Sequence, residues 1–120
     1  MRPDAVYLSH MRDAIAKVER YLASVDYETF TGNDMMIDAV VRELEIIGES
    51  ARNLSAPFIA QHPEIPWSRI KRMRNILIHE YFGVNLKVVW DTTHSNLPQL
   101  KVFIHSILAE PTDDEPHSSQ

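Results

Sequence analysis

The chain has 120 residues, 44% of them hydrophobic and 24% charged, with a formal net charge of −5 and no cysteine. That is enough for one domain around a single hydrophobic core and too little for two. It excludes a disulfide framework, a thiolate zinc site and a cysteine nucleophile, and no apolar run approaches the roughly 18 residues of a membrane span.

The lack of cysteine fits a reducing cytoplasm, and the opening Met1-Arg2-Pro3-Asp4-Ala5-Val6-Tyr7 has no uninterrupted apolar run of signal-peptide type. Only 3 glycines are present, and the long segments between turn signals favour helices over strands. The negative net charge argues against a general nucleic-acid binder, but its distribution is uneven. Arg69, Lys71, Arg72 and Arg74 fall in one acid-free run, whereas Asp113, Asp114 and Glu115 sit near the C-terminus.

A first helix is predicted from about Asp4 to Ser24. Its apolar positions Leu8, Met11, Ile15, Val18, Leu22 and Val25 alternate three and four apart, the stripe of a bundle helix. Asp26 to Phe30 reads as a turn or a single helical turn, closed by Thr31-Gly32-Asn33. A second long helix starts near Asn33 or Asp34, either of which can cap its free amides. Its stripe is Ile37, Val40, Leu44, Ile47, Ala51 and Leu54, with Gly48 beside it. A glycine inside a helix costs about 1 kcal/mol, so Gly48 is expected where another helix approaches closely.

Ser55 to Pro63 reads as a short connector with one helical turn around Phe58 and Ile59. Pro66 suits the first turn of a third helix, where its missing N–H is harmless. That helix is expected to end near Tyr81 or Phe82, with Gly83 as its C-terminal cap. Asn85 caps a fourth helix with the stripe Leu86, Trp90, Thr93, Leu97, Leu100, Ile104 and Ile107. Pro98 inside that stripe predicts a kink or break. From Pro111 onward the Asp, Glu, Ser and Pro content reads as a disordered acidic tail. The expected fold is all-α: one domain over residues 1–110, a compact antiparallel bundle of four main helices plus short helical turns.

The third helix carries the chemistry. At about 100° per residue, Arg74 falls within the apolar arc of Trp67, Ile70, Met73, Leu77, Ile78 and Tyr81. A guanidinium there needs a carboxylate, an aqueous cleft or a subunit boundary, and Glu43 and Glu49 of the second helix are the candidate acids. His79 lies about 140° around the helix from Arg74, with Asn75 one turn below it. One chain therefore aims both groups at one phosphate only if the helix unwinds near Ile78; otherwise two copies supply complementary halves. Ile76 on the polar face favours the second arrangement, a homodimer.

Arg74-x-x-x-x-His79-x-Tyr81 resembles the R-x-x-x-x-H-x-Y motif of the HepT-like toxins in the HEPN ribonuclease superfamily. The surroundings are similar too: Leu44-Glu45-Ile46-Ile47-Gly48-Glu49, Pro66-Trp67, Met73-Arg74-Asn75, His79-Glu80-Tyr81-Phe82-Gly83, Val89-Trp90 and Leu97-Pro98. The resemblance covers roughly residues 4–108. It implies an all-helical homodimer or larger homo-oligomer, the toxin of a type VII toxin–antitoxin pair. It also implies metal-independent, cofactor-free endoribonuclease cleavage of tRNA or mRNA, leaving a 2′,3′-cyclic phosphate and a 5′-hydroxyl.

The residues suit that chemistry. Histidine titrates near neutrality and serves acid/base work, so His79 takes that role. Arginine offers a fixed bidentate fork for charge developing on phosphorane oxygens, so Arg74 takes phosphate stabilisation. Asn75 would orient the imidazole or a substrate oxygen, and Arg69, Lys71 and Arg72 would contact the RNA backbone. By itself Tyr81 reads as the aromatic end of an apolar stripe. The resemblance implies that a partner nucleotidyltransferase, the MntA-type antitoxin, attaches AMP there, adding bulk and negative charge beside the cationic site.

Two other readings stand beside this one. The first is a non-catalytic subunit that binds a nucleotidyltransferase through the same helix. The second is a metal-dependent hydrolase, against which the six histidines offer no i,i+4 pair and no His-Glu-x-x-His pattern.

Overall fold

The computed structural model describes residues 3–79 and 85–110, with the side chains of 3–74 and 85–110. Every regular element among these residues is helical. Helix α1 spans Pro3–Tyr21, and its stripe is the core of the molecule: Leu8, Met11, Ala14, Ile15 and Val18 are all buried. It stops at Tyr21, three residues before the expected end, and Ser24 turns the chain with a φ of 60°.

Asp26 then caps the single-turn α2, Tyr27–Thr31, by accepting a hydrogen bond from the Thr29 amide at 2.8 Å. Hydrogen bonding from Thr29, from its side chain first and its amide second, holds the Asp26 carboxyl below its ordinary pKa, because it favours the ionised oxygen. The turn delivers Phe30, whose side chain is wholly buried.

Helix α3, Asp34–Arg52, begins at Asn33, whose side-chain oxygen accepts from the Met36 amide at 3.0 Å. It is the central element and packs on both α1 and α5. Its predicted stripe is inside, Val40, Leu44, Ile47 and Ala51 among it, and Glu43 and Ser50 are buried as well. Ser55 caps α4, Ala56–Gln61, and binds Asp4 through both its amide and its hydroxyl, each at 2.7 Å. This pair ties the start of α1 to the start of α4, 51 residues apart in sequence.

Helix α5, Trp67–His79, starts one residue after Pro66, which supplies the carbonyl for the Ile70 amide. Trp67 is buried, donates from Nε1 to the His62 carbonyl at 2.9 Å, and meets Phe58 and Phe103 edge-on. The expected end of this helix at Tyr81 or Phe82, the Gly83 cap and the tail from Pro111 lie outside the described residues.

Asn85 caps α6, Leu86–Asp91, accepting from the amides of Lys87 and Val88. Helix α7, Leu97–Ala109, completes the bundle, with Leu97, Leu100 and Ile104 buried. The break expected at Pro98 takes a definite form. Thr92–Asn96 winds as a π-helical turn, in which the Leu97 amide bonds the Thr92 carbonyl. Proline has no N–H to offer the carbonyl four residues back, and widening the turn just before it lets the ladder resume. Trp90 closes this corner, stacked on His94 at 4.0 Å and against Phe30 at 5.4 Å.

Candidate active site

The site is built on the contact between α3 and α5. A Cβ placed on Gly48 would stand 2.8 Å from the Arg74 nitrogen and 2.9 Å from its Cβ. These are backbone and near-backbone atoms with no freedom to move aside, so the two helices meet at this spacing only because position 48 has no side chain.

The next residue on α3 then receives the guanidinium. Arg74 Nε lies 2.6 Å from Glu49 Oε1, with side chains 37% and 54% exposed. The carboxylate is held from its other side by Asn53, whose Nδ2 donates to the Glu49 carbonyl at 2.9 Å and reaches Oε2 at 3.5 Å. An ion pair this wet is worth on the order of 1 kcal/mol or less. Its larger effect is to fix where the guanidinium stands.

Of the two acids expected to serve Arg74, Glu49 does so, while Glu43 is only 6% exposed. The helical projection shows why: Gly48 and Glu49 sit toward α5, and Glu43 lies beyond Ile47, about 140° from Gly48. A cleft of about 440 Å³ adjoins the pair and is walled by Arg74, by Arg42 and Glu45 of α3, and by Tyr7 and His10 of α1. Sequence reasoning missed Tyr7, His10 and Arg42. They reach Arg74's neighbourhood through the packing of α1 on α3, which no local pattern reports.

Arg69 and Arg72 are exposed and Lys71 is half-buried. Arg69 lines a separate, mainly apolar groove of about 180 Å³ with Met73, Val88 and Leu97, away from the Arg74 cleft.

Asn75 and His79 belong to α5 by backbone, and their side chains lie outside the described residues, as does the whole of Tyr81. The backbone settles one question: α5 stays α-helical through Ile78 and His79. The unwinding near Ile78 that would bring positions 74 and 79 onto one face is absent, and the two positions are about 140° apart around the helix. Among the described residues no group of three or more His, Asp or Glu side chains is arranged to hold a metal ion. No helix among them is long and apolar enough to cross a membrane.

Comparison with known proteins agrees with this architecture. A family model described as "Ribonuclease HepT-like" matches residues 11–107. A protein of Thermococcus cleftensis named as a probable ribonuclease HepT is 42% identical over 95 residues, 79% of this chain and 86% of that one. A protein of Caldanaerobacter subterraneus named as a putative RNase is 36% identical over 108 residues, covering 90% of this chain and 96% of the relative. A Methanocaldococcus jannaschii protein, whose name joins gamma-glutamylcyclotransferase to RNase, is 38% identical over 111 residues; the match spans 92% of this chain and half of that longer protein. No solved structure matches. With the family model covering most of the helical bundle and relatives of this identity matched over most of their length, the chain belongs to the HepT-like ribonuclease family.

Proposed function

We propose that this protein is a metal-independent endoribonuclease toxin whose site combines Arg74 of one chain with His79 of a second. Ribonuclease activity is what the family implies; the arrangement of the site rests on the continuity of α5. With the helix regular through His79, positions 74 and 79 lie about 140° apart around one chain's helix. A second copy related by a two-fold axis would bring each Arg74 to the partner's His79.

In this reading His79 moves the protons. It accepts the 2′-hydroxyl proton as the 2′-oxygen attacks phosphorus, and returns a proton to the 5′-oxygen as the P–O5′ bond breaks. The products are a 2′,3′-cyclic phosphate and a 5′-hydroxyl. Arg74, held at Nε by Glu49, stabilises the charge gathering on the phosphorane oxygens. Asn75, one turn from His79, orients the imidazole or a substrate oxygen, and Arg69, Lys71 and Arg72 contact the RNA backbone.

A partner nucleotidyltransferase of the MntA type transfers AMP from ATP onto the Tyr81 hydroxyl, releasing pyrophosphate, and the added phosphate and bulk repel and block RNA at the site. The alternative, a non-catalytic subunit of a nucleotidyltransferase complex, uses the same helix as a docking surface.

One assay separates the two readings. Purified protein is incubated with end-labelled tRNA and mRNA in the presence of a chelator, and the new ends are analysed. Fragments ending in 2′,3′-cyclic phosphate support the ribonuclease; intact RNA under all conditions favours the binding subunit. The regulatory part is read by intact mass after incubation with active nucleotidyltransferase and ATP. An AMP adduct mapped to Tyr81 supports it, and an unchanged mass removes it.

A further inference from the structure

The cleft beside Arg74 extends past the ion pair, across the outer face of α3, to the first turns of α1. We propose that it seats one unpaired nucleotide of the RNA chain, next to the phosphate held at Arg74, and selects for a base bearing an exocyclic amino group. This rests on the ribonuclease reading given above and adds the residues that would position and choose the substrate.

Size is the first argument. At about 440 Å³ the cleft lies in the range of pockets that hold a single small ligand, whereas the groove beside Arg69 is about 180 Å³ and lined mainly by apolar side chains.

The walls carry groups suited to a nucleotide. Tyr7 and His10 stand edge to face, with ring centroids 6.0 Å apart and planes at 89°. Two perpendicular rings at a cleft wall offer a π-face to a base, the sequence-tolerant element of single-strand binding. Arg42 is exposed on α3 and Arg74 stands on α5, so the cleft has a cation from each helix for successive phosphates.

Glu45 and Glu49 lie in the same cleft and offset those two charges. A cleft balanced in this way is a poor general trough for polyanions. It is better suited to reading a base. Glu49 is engaged by Arg74 and Asn53. Glu45 is a carboxylate that only accepts hydrogen bonds, and its counterpart on a base is an exocyclic amino group. Adenine, cytosine and guanine carry one; uracil does not. The buried Ser50 adds a hydroxyl that can donate or accept.

The test uses the full chain carrying His79→Ala, so that RNA binds without being cut, and fluorescein-labelled single-stranded oligo(C) and oligo(U). The expected result is tighter binding of oligo(C). Tyr7→Ala should weaken binding of both by about tenfold through lost stacking. Arg42→Ala should weaken both, and Glu45→Gln should erase the preference for oligo(C). Arg42 is exposed, so its variant decides the matter even if Tyr7→Ala fails to fold. If the parent binds and the Tyr7, Arg42 and Glu45 variants bind both oligonucleotides as it does, the nucleotide seat is wrong while the ribonuclease reading stands. If the parent binds neither oligonucleotide, the seat and the RNA reading fall together.

Discussion

Gly48 sets the position of Arg74: a single carbon added at residue 48 would lie 2.8 Å from the Arg74 amide nitrogen. The residue after Gly48 then pairs with the same arginine, Glu49 Oε1 to Arg74 Nε at 2.6 Å. One glycine and one acid, adjacent on α3, thus fix how far α5 stands away and where its guanidinium is held.

Gly48→Ala tests the first half. Alanine is the better helix former by about 1 kcal/mol, so propensity alone predicts a stabilised protein. The contact is with backbone, however, and forcing extra volume into a packed helix interface typically costs about 1–3 kcal/mol. The close approach should win. Urea unfolding is expected to show net destabilisation, together with lower activity. A variant as stable as the parent would mean that α3 and α5 part without penalty.

Glu49→Gln tests the second half. Both partners are about half exposed, so the lost pair should cost on the order of 1 kcal/mol or less. Turnover of RNA should fall by more than that stability change explains, because the guanidinium loses its fixed orientation. The measurement is kcat alongside a thermal melt. A change in melting temperature with turnover unaltered would assign Glu49 to structure alone.

Much of this was legible in the chain itself. The stripes of α1 and α3, the Asn33 and Asn85 caps and the interruption before Pro98 follow from periodicity and capping chemistry, which are local. Gly48 declared a close approach because a glycine within a strong helical stripe has few other uses. The choice between Glu43 and Glu49 was not legible, since it depends on which side of α3 faces α5. The cleft was hidden for the same reason: Tyr7 and His10 join Arg42 and Arg74 only through the tertiary packing of α1 on α3. Which way each cation of the basic run points was not legible from its order in the chain. Arg69 faces another groove.

Salt dependence probes that basic run. Each single-strand phosphate contact contributes about 0.7 to the slope of log affinity against log salt. Replacing Arg72 with Ala should therefore lower the slope by about that amount and weaken binding to different sequences alike. The check is a titration of labelled RNA at several salt concentrations. An unchanged slope would take Arg72 out of the interface.

Mixing two inactive variants tests whether the site is shared. In a heterodimer of Arg74→Ala and His79→Ala chains, one of the two sites would keep both native residues. With random re-pairing, about a quarter of wild-type activity should return on mixing. A site contained within a single chain returns none.

The role of His79 is tested by comparing wild-type protein with His79→Ala on end-labelled RNA, with circular dichroism recorded on the same samples. The variant is expected to keep the helical spectrum and to lose cleavage. Cleavage by His79→Ala at the wild-type rate would contradict that role.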